Sequence, residues 1–208
     1  LLAFVVVLGA CASPRQQSAG PFDTEPHFES TMFVAADGAR LPMRSWLPGA
    51  EPDAVILALH GFNDYSNAFD APGRYWQRHG IATFAYDQRG FGATEYAGIW
   101  PPQSSLIKDL RAALRILRES YPGLPVYVLG ESMGAAVLLS AAEEQVLDAE
   151  GVILVAPAVW ARSTMNPFYR AALWLGAHLF PDMELTGRGL GVVASDNREM
   201  ILGLQKDP

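Results

Sequence analysis

The stretch Val126-Tyr127-Val128-Leu129-Gly130-Glu131-Ser132-Met133-Gly134-Ala135-Ala136 constrains this chain more than any other. It opens on four residues suited to a buried strand. From Met133 to Val146 the chain is rich in Ala and Leu, as a helix would be. Ser132 therefore sits where a strand turns into a helix. Gly130 and Gly134 flank it at the spacing that a sharp turn needs, because side chains there would meet neighbouring backbone. Such a turn lifts the serine hydroxyl clear of the sheet. It also sets a helix N-terminus beneath it, where backbone N–H groups can stabilise an oxyanion. Ser132 is the candidate nucleophile, with Gly130, Glu131 and Gly134 forming its turn.

Other short apolar runs fit strands buried on both faces of a parallel sheet: Ala54 to Leu59, Ile81 to Tyr86, and Val152 to Val155. Helical stretches separate them. Ser66 to His79 is expected to be partly helical. Ser105 to Tyr121 places Leu106, Leu110, Ala113, Leu114 and Leu117 on one face and stops before Pro122-Gly123. Alternation of this kind means an α/β fold with right-handed crossovers. Upstream, Phe28 to Ala35 and Arg40 to Leu47 read as two strands joined at Asp37-Gly38. Ala12 to Pro26, rich in Ser, Gln, Gly and Pro, reads as a flexible tether. After Ala156-Pro157 the alternation stops. Val159 to Leu204 has no clear strand, and Ala171 to Phe180 is a candidate helix.

His60-Gly61-Phe62 follows the strand Ala54 to Leu59. When a serine sits on a strand-to-helix turn, a second oxyanion donor comes from a loop in that position. Phe62 N–H and Met133 N–H are the expected pair, with His60 and Gly61 shaping the loop. His60 is read as structural rather than as the catalytic base. Asp87 and Arg89, in Asp87-Gln88-Arg89-Gly90, are read as ordering their loop by polar contacts. Gly187-Arg188-Gly189-Leu190-Gly191 does not fit a dinucleotide fingerprint and follows no buried strand.

Three of these motifs, His60-Gly61-Phe62-Asn63-Asp64-Tyr65-Ser66, Tyr86-Asp87-Gln88-Arg89-Gly90-Phe91-Gly92 and Gly130-Glu131-Ser132-Met133-Gly134, occur in family order. Residues 28–208 resemble the monoacylglycerol lipase and lysophospholipase branch of the α/β-hydrolases, a branch that also includes serine aminopeptidase-like (S33-type) members. The resemblance implies a mostly parallel sheet, a two-donor oxyanion hole and a helical cap inserted after the sixth strand. On that reading 28–157 is the hydrolase core and 158–208 the cap. The implied substrate is an acyl lipid or small ester. Trp160, Phe168, Tyr169, Trp174 and Phe180 are candidates to line an acyl pocket or to pack a core.

A serine hydrolase also needs a base and an orienting acid, which in this fold follow the serine as Asp or Glu and then His. After Ser132 the only histidine is His178, inside the expected cap. Asp182, Asp196 and Asp207 have no strand before them. The triad Asp and His are thus expected to be absent, with the last strands lying beyond Pro208. A strand–helix unit takes roughly 30 residues. The fragment alone is expected to be nearly inactive.

The other end has its own signature. Leu1 to Ala10 is a continuous apolar run, too short for the roughly 20 residues that span a bilayer and suited to the apolar part of a secretory signal. Leu8-Gly9-Ala10-Cys11 resembles a bacterial lipobox, so residues 1–11 are read as the remnant of a lipoprotein signal and 12–27 as the tether. Cys11 is the only cysteine and has no internal disulfide partner. As a lipid anchor it would place the protein on the cell envelope, at a periplasmic or outer-membrane face. A net charge of −7 without a basic run excludes nucleic acid as an expected partner. No metal or organic cofactor is implied, and nothing in the sequence sets an oligomeric state. The competing expectations are an aminopeptidase-like hydrolase and a non-catalytic envelope lipoprotein that uses the fold as a scaffold.

Overall fold

The computed structural model describes residues 15–159 and 165–180. Seven strands form one mixed sheet: β1 (His27–Phe28), β2 (Met32–Val34), β3 (Arg40–Trp46), β4 (Ala54–Leu59), β5 (Ile81–Tyr86), β6 (Val126–Glu131) and β7 (Gly151–Val155). Their spatial order is β1-β2-β3-β5-β4-β6-β7. The first three strands and the β3–β5 pair are antiparallel, whereas β5, β4, β6 and β7 run parallel. The helices are α1 (Asp70–Gln77), entered through a 3₁₀ turn at Ser66–Phe69, then α2 (Gln103–Ser120), α3 (Met133–Glu144) and α4 (Pro167–Leu179). This is the α/β-hydrolase architecture that the motifs implied.

The central strands are buried on both faces, which is why they read as unbroken apolar runs. On β4, Val55, Leu57 and Leu59 face a core completed by Leu106, Leu110, Leu114 and Leu117 of α2 and by Val137, Leu138 and Ala141 of α3. Ile56 and Ala58 point the other way, to Phe69 and the partly buried Trp76 of α1. The two crossovers run in opposite directions along the sheet: from β4 to β5 one way, then from β5 past β4 to β6 the other. Right-handed connections of opposite direction land on opposite faces. Ligands in such sheets bind where the direction reverses, beyond the carboxyl ends of the strands. Here that is the end of β4 and β6.

Three regions depart from expectation. Phe28 to Ala35 is a tight hairpin rather than one strand: His27 pairs with Val34 and Phe28 with Phe33. Glu29 N–H donates to Met32 O (2.8 Å) and closes the turn. Residues 15–26 fall in the stretch read as a flexible tether, yet they are pinned. Gln16 bridges Trp100, Gln17 N–H donates to Trp100 O (2.9 Å), and Thr24 N–H donates to Ala36 O (3.0 Å). Backbone and amide groups make these contacts, so no apolar period announces them. Finally, β7 is not buried: Val152, Ile153, Leu154 and Val155 are each 39–46% exposed. Apolar composition signals a capacity for burial and does not show what covers a strand. Among the described residues, no helix is long and apolar enough to cross a membrane.

Candidate active site

Leu59 and Gly130 are register partners on neighbouring parallel strands, so the loops after β4 and β6 emerge side by side. Ser132 takes φ 50° and ψ −106°, a conformation that L-residues avoid. Three hydrogen bonds hold it there. Its N–H donates to Val155 O (2.9 Å), and its carbonyl accepts from Ala136 N–H and Ala158 N–H (3.1 Å each). The flanking glycines are steric requirements. A Cβ on Gly130 would lie 2.5 Å from Ala135 N, and one on Gly134 would collide with the Leu59 carbonyl. The turn closes only because backbone passes where side chains would be.

The loop after β4 meets this turn directly. A Cβ built on Gly61 would sit 3.5 Å from Ser132 Cβ. His60 is fully buried. Its Nε2 accepts from Gln88 N–H (2.8 Å), and its Nδ1 lies 2.8 Å from Gly61 O. With Nε2 accepting, the proton belongs on Nδ1 and is donated to the Gly61 carbonyl. Burial lowers the His60 pKa, outweighing the Gly61 hydrogen bond and the charges of Asp87 and Asp64. Both nitrogens of the buried imidazole are thus engaged by backbone partners in the loops after β4 and β5.

Asp87 and Arg89 order the neighbouring loop as read. Asp87 Oδ1 accepts from Ser66 N–H (2.9 Å) and Oδ2 from Ala93 N–H (3.0 Å). Arg89 forks onto two buried carboxylates, Asp109 through Nε and Nη2 (2.6 and 2.9 Å) and Asp37 through Nη1 and Nη2 (2.7 Å each). Above the loop, the Phe62 ring packs on Phe91 (5.4 Å between centroids) and Trp100 (6.1 Å). Trp100 is the residue that the N-terminal segment bridges. Beside the turn, Glu131 has its carboxyl pKa raised, first by burial and then by the charge of Asp64.

Other sequence candidates stand apart. His178 lies in α4, where its contacts are local: Nδ1 is 2.7 Å from Trp174 O and the ring stacks on Trp174. Phe168, Tyr169, Trp174 and Phe180 are more than half exposed, and α4 has no buried residue, so the described residues do not gather them into a pocket. Cys11, Trp160, Asp182, Asp196, Asp207 and residues 187–191 lie outside the described residues. Among the described residues, no group of three or more His, Cys, Asp or Glu side chains is placed to hold a metal ion. Sequence reasoning assigned no role to Gln88, Trp100 or Asp109 and placed Asp37 only at a turn. Gln88 lies 28 positions from His60, and Arg89 lies 20 from Asp109 and 52 from Asp37, beyond any local pattern.

Residues 50–208 match the family model described as serine aminopeptidase, S33. This chain belongs to the serine aminopeptidase S33 family. Among curated relatives of this S33 chain, the monoglyceride lipase of Rattus norvegicus is 31% identical over 95% of the chain and 64% of the relative. The human monoglyceride lipase is 31% identical over 72% of the chain and 48% of the relative. The monoacylglycerol lipase of Mycolicibacterium smegmatis is 24% identical over 85% and 63%. The S33 chain thus spans about half to two thirds of the length of these relatives. Among solved structures, the α/β hydrolase GrgF from a Penicillium species superposes with a TM-score of 0.58 at 26% identity, covering 71% of the chain and 51% of that structure. A soluble variant of the Saccharomyces cerevisiae monoglyceride lipase gives 0.57 at 23% identity, covering 67% and 48%. The latter likeness speaks to the fold.

Proposed function

We propose that the protein carrying this chain is a serine ester hydrolase that cleaves carboxylic esters of acyl lipids, of the monoacylglycerol or lysophospholipid type. The observation that carries this reading is the strained, three-times-anchored Ser132 with the Gly61 backbone against it. Ser132 Oγ would attack the ester carbonyl carbon, and the carbonyl oxygen would become an oxyanion. Met133 N–H would receive it: the first N–H groups of a helix have no partner within the helix, and Met133 N–H donates to no backbone carbonyl among the described residues. Phe62 N–H donates to no backbone carbonyl among the described residues and would be the second donor. The C–O bond to the alcohol then breaks, leaving an acyl-serine that water hydrolyses. The base and its orienting acid belong, on this proposal, to parts of the protein outside the described residues. The monoglyceride lipase relatives support the acyl-lipid substrate.

The test is a panel of monoacylglycerols, lysophospholipids and aminoacyl amides offered to the full-length protein, with fluorophosphonate labelling mapped by peptide mass. Ester turnover with the label on Ser132 is the expected result. A label elsewhere, or none, overturns it. Faster turnover of the amides would favour the second reading, an aminopeptidase, which the family description itself suggests.

We also propose that Cys11 carries a lipid and holds the protein on the bacterial cell envelope. Support comes from the lipobox-like Leu8-Gly9-Ala10-Cys11 placed directly after an apolar run. Buried acyl CH₂ groups, at about 0.8 kcal/mol each, would supply the hold. Mass spectrometry of the mature protein should find acylated Cys11 as its first residue. An unmodified Cys11, or a start elsewhere, would refute the anchor.

A further inference from the structure

Gln88 is completely buried, yet its side-chain Oε1 has no hydrogen-bond partner among the described residues. An unsatisfied buried amide is costly, and an apolar residue of the same shape would avoid the cost. What Gln88 does in return is grip His60 at two points. Its backbone N–H donates to His60 Nε2, and its side-chain Nε2 donates to the His60 carbonyl, both at 2.8 Å. His60 in turn holds the Gly61 carbonyl at 2.8 Å.

These three contacts fix two consecutive peptide planes. The His60 carbonyl belongs to the 60–61 peptide, and Gln88 holds it. The Gly61 carbonyl belongs to the 61–62 peptide, and His60 Nδ1–H holds it. A trans peptide is planar, with its C=O and N–H pointing in opposite directions. Gripping Gly61 O from the imidazole side therefore turns Phe62 N–H away from the imidazole and keeps it there. Phe62 N–H is the oxyanion donor of the function proposed above.

We propose that Gln88 is a positioning residue for the oxyanion hole. Its backbone N–H sets the tautomer of His60, its side-chain amide holds the His60 carbonyl, and together they fix the direction of the Phe62 N–H. This rests on the serine-hydrolase reading for its catalytic meaning, while the hold on His60 stands on geometry alone. Gln88 touches no reacting atom, so its loss should impair the chemical step and spare substrate binding. Deleting an oxyanion donor outright costs about 10²–10³ in rate. Letting one wander should cost about 10–100-fold in kcat.

The experiment compares wild type with Gln88→Met and Gln88→Glu in the full-length protein. Methionine keeps the volume, removes the unpartnered oxygen and loses the side-chain donor. Expected for Gln88→Met are a kcat lowered about 10–100-fold, an unchanged KM and a melting temperature close to wild type, because the loss of the donor to the His60 carbonyl offsets the removal of the unpartnered oxygen. Long-range ¹⁵N–¹H spectra should show His60 neutral with its proton on Nδ1 in wild type and in both variants, because the Gln88 backbone N–H that donates to Nε2 is kept. Unchanged kcat in both variants would overturn the positioning role, as would a fall in kcat matched by a fall in melting temperature. If wild type neither labels at Ser132 nor turns over esters, the serine-hydrolase reading falls. The His60 spectrum then decides the hold by itself, with a proton on Nε2 refuting it.

Discussion

Ser132→Gly is expected to abolish ester hydrolysis and, in the same molecule, to raise the melting temperature. Loss of the nucleophile should cost about 10⁶-fold in kcat, the scale seen when a catalytic serine is removed. The gain in stability comes from the backbone. Ser132 sits at φ 50° and ψ −106°, a strain of roughly 1–3 kcal/mol for an L-residue. Glycine adopts positive φ without that strain, although it loses about 0.5–1 kcal/mol to chain entropy. The net gain should be up to about 2.5 kcal/mol, at about 2–4 °C per kcal/mol for a chain of this size. Ser132→Ala is the control: it removes the hydroxyl and keeps the strain. Scanning calorimetry of both variants separates the two effects. A melting temperature for Ser132→Gly below that of Ser132→Ala would show that the turn stores no strain.

Arg89→Met should produce the largest loss of stability. The Arg89 side chain is 6% exposed, and those of Asp37 and Asp109 are 3% each. Removing one partner of a buried ion pair costs about 3–5 kcal/mol, and here the guanidinium serves two carboxylates. The pH dependence carries a signature. Burial pushes the Asp109 carboxyl up to about 6 in spite of Arg89. In the unfolded chain an aspartate titrates near 3.9. Between those values the native state binds more protons, so the Asp109 contribution weakens as pH rises through the window and is flat above it. Asp37 runs the other way. Burial alone would raise it, but the hydrogen bonds and charge of Arg89 hold it below the usual carboxylate range. Its contribution is present at neutral pH and is lost as pH falls through that lowered value. Without Arg89, both carboxylates are stranded at neutral pH and relieved by protonation. The stability gap between wild type and Arg89→Met should therefore narrow from pH 7 to pH 5 in urea unfolding. A constant gap would mean that the cluster is not what the guanidinium neutralises.

Much of the fold was legible because burial leaves a period. The runs at Ala54 to Leu59 and Ile81 to Tyr86 are read with the bounds that the strands have, and the five apolar residues of α2 are all buried. The turn around Ser132 was legible because two glycines at fixed offsets are a steric demand. What stayed hidden has a common cause. The break at Glu29-Ser30-Thr31 carries no Gly or Pro to announce it. Gln88 looks like any polar loop residue until His60 is folded against it. Arg89 reaches Asp37 across 52 positions, and no short-range pattern encodes that. The exposure of β7 was hidden for the opposite reason: its composition states only that it could be covered.

The bridge between Gln16 and Trp100 has a mechanical meaning. Tension applied to the chain on the N-terminal side of Arg15 reaches the Gln16 and Gln17 contacts before it reaches β1. Gln17 hands that load to residues 96–100 through its backbone and its side-chain amide. The short hairpin at the edge of the sheet, which a direct pull would unzip one pair at a time, is thereby shielded. Force arriving at this end is routed instead into the loop whose Trp100 ring packs on Phe62.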